Sequence, residues 1–243
     1  MHPVLLKESA NEVSGFLAKI FNKSIQKGRL PMDWKTAVVV PLHKKGSQKK
    51  AENFRSVSLT SVICKVLESI IRDSLLHHME SNNLFTDQQH GFRSCRSCTT
   101  QLLEVIEDWY ESIENNDCID CIYLDFQKAF DTVPHQRLLN KMESYGIRGN
   151  IQNWTKHFLK GRSQSVRVGK NMSEKVEVKS GIPQGSVLGP ILFLIFINDL
   201  PDVVQSTVKL FADDTKLYAP IVDEVSCEKL QSDLDNLADW SDK

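Results

Sequence analysis

Residues 187–197 read Val-Leu-Gly-Pro-Ile-Leu-Phe-Leu-Ile-Phe-Ile, a run without one polar side chain. A helix that is apolar on every side has no face to offer to water, so other elements must enclose it. Crossing the hydrocarbon of a bilayer takes about 20 apolar residues, and this run is shorter and interrupted by Gly189-Pro190. It therefore predicts a buried core helix, with Ser186 placed to cap its N-terminus. The N-terminus has no charged-then-apolar signal pattern. The expectation is a soluble, intracellular protein with no membrane partner.

The remaining segments alternate between helical and strand patterns. Val13, Leu17, Ile20, Phe21 and Ile25 predict a helix stopping near Gly28, followed by a strand over Ala37-Val-Val-Val-Pro-Leu. A Lys/Gly/Ser-rich loop leads to Asn53-Phe-Arg-Ser-Val-Ser-Leu, and a helix begins near Ser61. A strand is expected over Cys121–Asp125, then two helices closed by Gly146 and Gly161, then a hairpin of Ser165–Val168 with Lys175–Lys179. Val208–Ala212 and Thr215–Tyr218 predict a second hairpin with Asp213 and Asp214 at its tight turn. Leu230, Leu234, Leu237 and Trp240 mark a last helix without a stop signal. No linker-like tract divides the 243 residues, so any subdomains are expected to be interleaved.

Two CxxC pairs, Cys95/Cys98 and Cys118/Cys121, have the separation of a four-thiolate zinc site. Between them Leu102, Ile106, Trp109 and Ile113 recur at helical spacing, widened by Leu103 and Tyr110. A helix of that length holds the pairs roughly 25 Å apart, whereas zinc needs all four sulfurs about 2.3 Å from one point. No zinc is expected, and the cysteines read as reduced, mostly buried thiols.

The net charge of -1 does not announce a nucleic-acid binder, although basic residues gather at Lys44, Lys45, Lys49, Lys50 and Arg55 and again between Arg137 and Lys179. Adjacent aspartates in a turn are ordinary, because Asp tolerates turn dihedrals and favours water. A third acid, Asp125, ends an apolar strand, where a carboxylate has no packing role. If the two strands are neighbours, three carboxylates converge. Such a cluster repels itself unless cations fill it, and oxygen ligands without His or Cys favour magnesium, with manganese as its substitute. Two such ions serve in-line phosphoryl transfer. Gly181-Ile-Pro-Gln-Gly-Ser adds a glycine-bearing turn before a helix, where backbone approaches a nucleotide closely.

Taken in order, Asn53–Leu59, Gly91-Phe-Arg, Leu124-Asp-Phe-Gln-Lys-Ala-Phe-Asp, Gly181–Pro190 and Phe211-Ala-Asp-Asp resemble the reverse transcriptases of retrotransposons without long terminal repeats, most closely the jockey-type elements. The resemblance covers nearly the whole chain. It implies an RNA-directed DNA polymerase with an α/β right-hand fold: fingers over 1–118 with an N-terminal helical extension, and a palm over 119–243. The implied partners are an RNA template, a DNA primer and deoxynucleoside triphosphates. It also implies two magnesium ions on Asp125 and Asp213, with Asp214 supporting, and Phe130 as a steric gate against a 2′-hydroxyl. Gln184 and Gly185 would contact the incoming nucleotide, and Lys44 and Arg55 its triphosphate, with Lys45 an alternative to Lys44.

Ser56 stands where the family usually has proline, and Cys95 and Cys98 lie where glycine and serine are commoner. The family's endonuclease, primer grip and thumb have no counterpart in these residues, so the palm is expected to be incomplete. The competing expectation is a catalytically inactive retroelement remnant that binds nucleic acid weakly. An intron-encoded maturase is a third, which the jockey-like wording of the motifs disfavours.

Overall fold

The computed structural model describes residues 3–242. Helix α1 (Pro3–Glu8) precedes α2 (Ala10–Lys27), which stops at Gly28 as expected, in the left-handed region at φ 57°. Strands β1 (Thr36–His43) and β2 (Phe54–Leu59) follow, then α3 (Val62–Ser81), α4 (Cys98–Glu114) and β3 (Cys118–Asp125). A short α5 (Ala129–Thr132) leads to α6 (His135–Ser144) and α7 (Gly149–Leu159). The rest is β4 (Arg162–Val168), β5 (Asn171–Met172), β6 (Val176–Val178), α8 (Gly189–Ile197), β7 (Thr207–Phe211), β8 (Asp214–Ile221) and α9 (Glu224–Asp242). The chain forms two compact units, each built from two separate stretches. One joins the segment up to Met79 with Phe130–Leu192, and the other joins Glu80–Ala129 with the segment from Phe193 onward.

In the first unit the sheet runs β2-β1-β4-β5, with β6 also on β4. Strand β1 is antiparallel to β2 and parallel to β4. The parallel pairing ends at Val39, so Pro41, which has no N–H to give, lies beyond it and faces only Ser56 of β2. Helices α2 and α7 pack together around the fully buried Trp154, whose indole donates to Ser24 Oγ at 3.0 Å. Ser24 in turn donates to the Arg29 carbonyl at 2.6 Å, so the buried indole N–H and hydroxyl are both satisfied. The apolar run is enclosed as predicted: every side chain from Ile191 to Ile197 is buried. The helix itself begins at Gly189, which places Pro190 in the first turn, where its missing N–H costs nothing. Ser186 Oγ accepts from the Gly189 amide at 2.9 Å, which is the expected cap. The buried Glu68 of α3 completes it, Oε2 accepting from Val187 at 2.7 Å and Leu188 at 3.1 Å.

In the second unit β3, β8 and β7 form an antiparallel sheet in that order. Helix α4 lies against it: the Trp109 and Tyr218 rings meet edge to face, the Tyr218 hydroxyl donates to Asp108, and Lys209 pairs with Glu104 at 2.6 Å. Helix α9 packs on β8, its Trp240 lying between Phe126 and Phe196 and donating to Asp199 at 3.1 Å. The Asp233 carboxylate of α9 is buried and accepts from the amides of Gln205 at 3.0 Å and Ser206 at 2.7 Å.

Three expectations need correction. The apolar positions of α4 do make a helix, but Leu102, Leu103, Ile106, Tyr110 and Ile113 are exposed, and Gln101 and Val105 are the buried ones. Of the predicted stripe, Trp109 meets the sheet through Tyr218, and the other apolar positions lie on the exposed side of the helix. Only Cys64 among the cysteines is buried; Cys95, Cys98, Cys118 and Cys227 are exposed and Cys121 is half-buried, all as free thiols. The second hairpin turns through Ala212 and Asp213, with Asp214 already the first residue of β8. Among the described residues no helix is long and apolar enough to cross a membrane.

Burial raises the Asp233 carboxyl pKa, but the hydrogen bonds from Ser206 and Gln205 outweigh it and hold it below the usual range. The stability this lends is therefore present above the ordinary carboxylate pKa and lost as pH falls through the depressed one. Asp233→Ala is expected to lower the unfolding free energy at neutral pH by about 2 kcal/mol, since two buried amides lose their acceptor. In urea titrations the gap between variant and wild type should narrow on acidification.

Candidate active site

Strands β3 and β8 are neighbours, and their register sets Asp125 directly opposite Asp214. Asp213 occupies the adjoining turn, so all three predicted acids lie at one end of one sheet. Like charges directly opposite across a strand pair are destabilising. The effect is visible at Asp214, whose carboxyl is pushed above the usual range by partial burial first and then by the charges of Asp213 and Asp125. Among the described residues none pairs with or donates a hydrogen bond to these carboxylates. Nor are any three His, Cys, Asp or Glu side chains among them grouped closely enough to enclose an ion. The donors suit a hard cation all the same: they are oxygen-only, concentrated at one strand end, and uncompensated. A cleft of about 380 Å³ opens beside them, lined by Cys98, Gln101, Tyr123, Asp125, Lys209 and Asp214.

The turn carrying Asp213 is held by a segment outside the named strands and helices. Residues 88–90 run beside β7, with the Leu210 amide donating to Gln88 O and the His90 amide to Leu210 O, both at 2.9 Å. Gln89 is 1% exposed, and its Oε1 accepts from the amides of Gly91 at 2.7 Å and Ala212 at 2.9 Å. Its Nε2 donates to Ala212 O at 3.4 Å. A Cβ on Gly91 would stand 2.4 Å from the Ala212 nitrogen, so only glycine allows this approach. Ala212 itself sits at φ 57°, a region that L residues other than Gly, Asn and Asp seldom visit.

The other predicted residues belong to the first unit. The Phe130 carbonyl accepts from the Ile182 amide at 2.7 Å, and the Gly181 amide donates to Val133 O at 3.0 Å. His135 Nε2 lies 2.8 Å from the Gly181 carbonyl. These bonds stitch the Phe130 segment to the Gly181–Ser186 turn. The turn is joined in the same way to β2, the Ser58 amide donating to Gln184 O at 2.8 Å. A Cβ on Gly185, at φ +103°, would stand 2.8 Å from Ser58 O. Phe130, Gln184, Gly185 and the strand bearing Arg55 thus form one main-chain-bonded assembly. Lys44, just past β1, and Arg55, near the start of β2, are both exposed, and the Lys44 amide extends the ladder to Asn53 O at 2.8 Å.

Comparison with known proteins bears on these motifs. Residues 42–243 match the family described as reverse transcriptase (RNA-dependent DNA polymerase). The chain belongs to this family. It is similar to the probable RNA-directed DNA polymerase from transposon BS of Drosophila melanogaster, 30% identical over 93% of this chain and 26% of that protein. It is likewise similar to the RNA-directed DNA polymerase from mobile element jockey of the same organism, 31% identical over 93% of this chain and 26% of that one. The chain thus spans about a quarter of the length of these relatives. Its fold is similar to that of apo telomerase from Candida tropicalis truncated from the C-terminal domain, at TM-score 0.60 and 12% identity, over 92% of this chain and 51% of that one. The mixed α/β fingers-and-palm class expected from the sequence is the one observed.

Gly181 lies at φ +84°, with Asp131 O 2.5 Å from where a Cβ would be. Gly181→Ala is therefore expected to destabilise the protein by about 2–3 kcal/mol. Thermal unfolding of the purified variant measures this, and an unchanged midpoint would show that the turn yields without cost.

Proposed function

We propose that this domain is the polymerising part of a retrotransposon protein. It would extend a DNA primer on an RNA template by two-metal nucleotidyl transfer, with Asp125 and Asp213 as the principal metal ligands and Asp214 supporting them. The observation that carries this reading is the Asp125–Asp214 pair. A strand register that sets two carboxylates opposite each other, with a third in the adjoining turn and no salt bridge to any of them among the described residues, has no structural merit.

Two magnesium ions, or manganese in their place, would when bound neutralise that charge, raise the acidity of the primer 3′-hydroxyl and stabilise the leaving pyrophosphate. The chain's own part is to hold and orient. Phe130 excludes a 2′-hydroxyl by its bulk, so deoxynucleotides are selected by shape. Gln184 and Gly185 contact the incoming nucleotide, Gly185 through close approach of its backbone. Lys44 and Arg55 supply fixed positive charge to the triphosphate. In this reading residues 1–118 act as fingers and 119–243 as palm.

Primer extension on an RNA template by the purified chain, with magnesium or manganese, tests the proposal. Asp213→Ala is expected to abolish incorporation and leave the fold intact, since a turn carboxylate repelled by its neighbours adds nothing to stability. Collapse of that variant would count against the metal role. Phe130→Ala should relax discrimination against ribonucleotides, and unchanged sugar selectivity would remove Phe130 from the gate. A wild type that incorporates nothing, while still binding the template weakly, would favour the inactive remnant.

A further inference from the structure

We infer that Gln89 is a positioning residue for the carboxylate site: its side chain, buried and fully committed to backbone, fixes the turn from which Asp213 projects. The inference rests on the polymerase reading for its consequence but not for its geometry.

An isolated two-residue turn between β7 and β8 would not choose the observed conformation. Ala212 is held at positive φ, which costs an L residue roughly 1–2 kcal/mol, and the two neighbouring aspartates repel Asp125. Both effects favour relaxation of the turn. Opposing them, Gln89 Oε1 takes the Ala212 amide and Nε2 reaches its carbonyl, so both polar groups of that one peptide residue are tied to one side chain. The same oxygen takes the Gly91 amide, which anchors the clamp to its own segment. Gly91 then lets that segment lie against the turn with no side chain between. The main-chain bonds of residues 88–90 to Leu210 fix the clamp in register with β7. A buried amide with its oxygen doubly used cannot be replaced by an apolar side chain without leaving the Ala212 N–H unsatisfied.

Outer groups that orient metal ligands typically change metal affinity or activity by about 10–100-fold when removed. Gln89→Met keeps the length of the side chain and deletes its hydrogen bonds. Gly91→Ala leaves Gln89 in place and pushes the turn away by steric contact. Three measurements on the full chain test the clamp: amide hydrogen exchange at Ala212, Mn2+ affinity by electron paramagnetic resonance, and steady-state primer extension. In the wild type the Ala212 amide is expected to be protected. Both variants should lose that protection, bind Mn2+ about 10–100-fold more weakly, and lower kcat without raising KM for the nucleotide. Protection of Leu67 and Leu138, in the other unit, should be unchanged.

Rapid exchange at Ala212 in the wild type would overturn the clamp outright, even if Gln89→Met does not fold. So would wild-type Mn2+ affinity in a folded Gln89→Met. If the wild type neither binds Mn2+ nor incorporates nucleotide, the polymerase reading fails, and exchange at Ala212 still decides the clamp on its own.

Discussion

Repulsion among three carboxylates is the constraint around which the second unit is organised. The β3–β8 register puts Asp125 and Asp214 face to face, and the turn adds Asp213. None of this helps the sheet hold together. The sheet is secured instead along its length, by α4 through Tyr218 and Lys209, by α9 through the ring cluster at Trp240, and at the turn by Gln89. Stability is supplied by the middle of the strands, and their charged end detracts from it.

One device recurs. Glu68, Gln89 and Asp233 are buried polar side chains, and in each a carboxylate or amide oxygen group takes two backbone N–H groups. Each serves a segment that has no strand or helix partner for those amides: the start of α8, the turn before β8, and the approach to β7. Irregular backbone can be buried only if its polar groups are satisfied, and here single side chains from distant sequence positions satisfy them. These three residues make the loops around the motifs as definite as the strands.

Most of the elements were legible because their periodicity is strong. The enclosed helix at 189–197, the stop at Gly28 and the strand ending at Asp125 follow from local pattern alone. The three acids were legible as a set because a carboxylate closing an apolar strand has no packing purpose. What escaped was tertiary. Nothing near Gln89 distinguishes a buried clamp from a polar loop residue, since Ala212, the residue it clamps, lies 123 positions away. The orientation of α4 escaped for a related reason. Its sheet-facing side carries Glu104 and Asp108, bonded to Lys209 and Tyr218, beside Val105 and Trp109, while hydropathy weighs only the apolar residues. The turn at Ala212–Asp213 differs by one position from the Asp-Asp turn expected, because the closure is dictated by Gly91 and Gln89 from outside the hairpin.

The approach of Gly91 to Ala212 also carries a consequence for heredity. Every amino-acid replacement at that codon adds at least a Cβ, and the space for it is already taken by the Ala212 backbone. A gene copy can therefore lose the turn that carries Asp213 through a residue that has no side chain and bears no charge, while all three aspartates remain spelled out in its sequence.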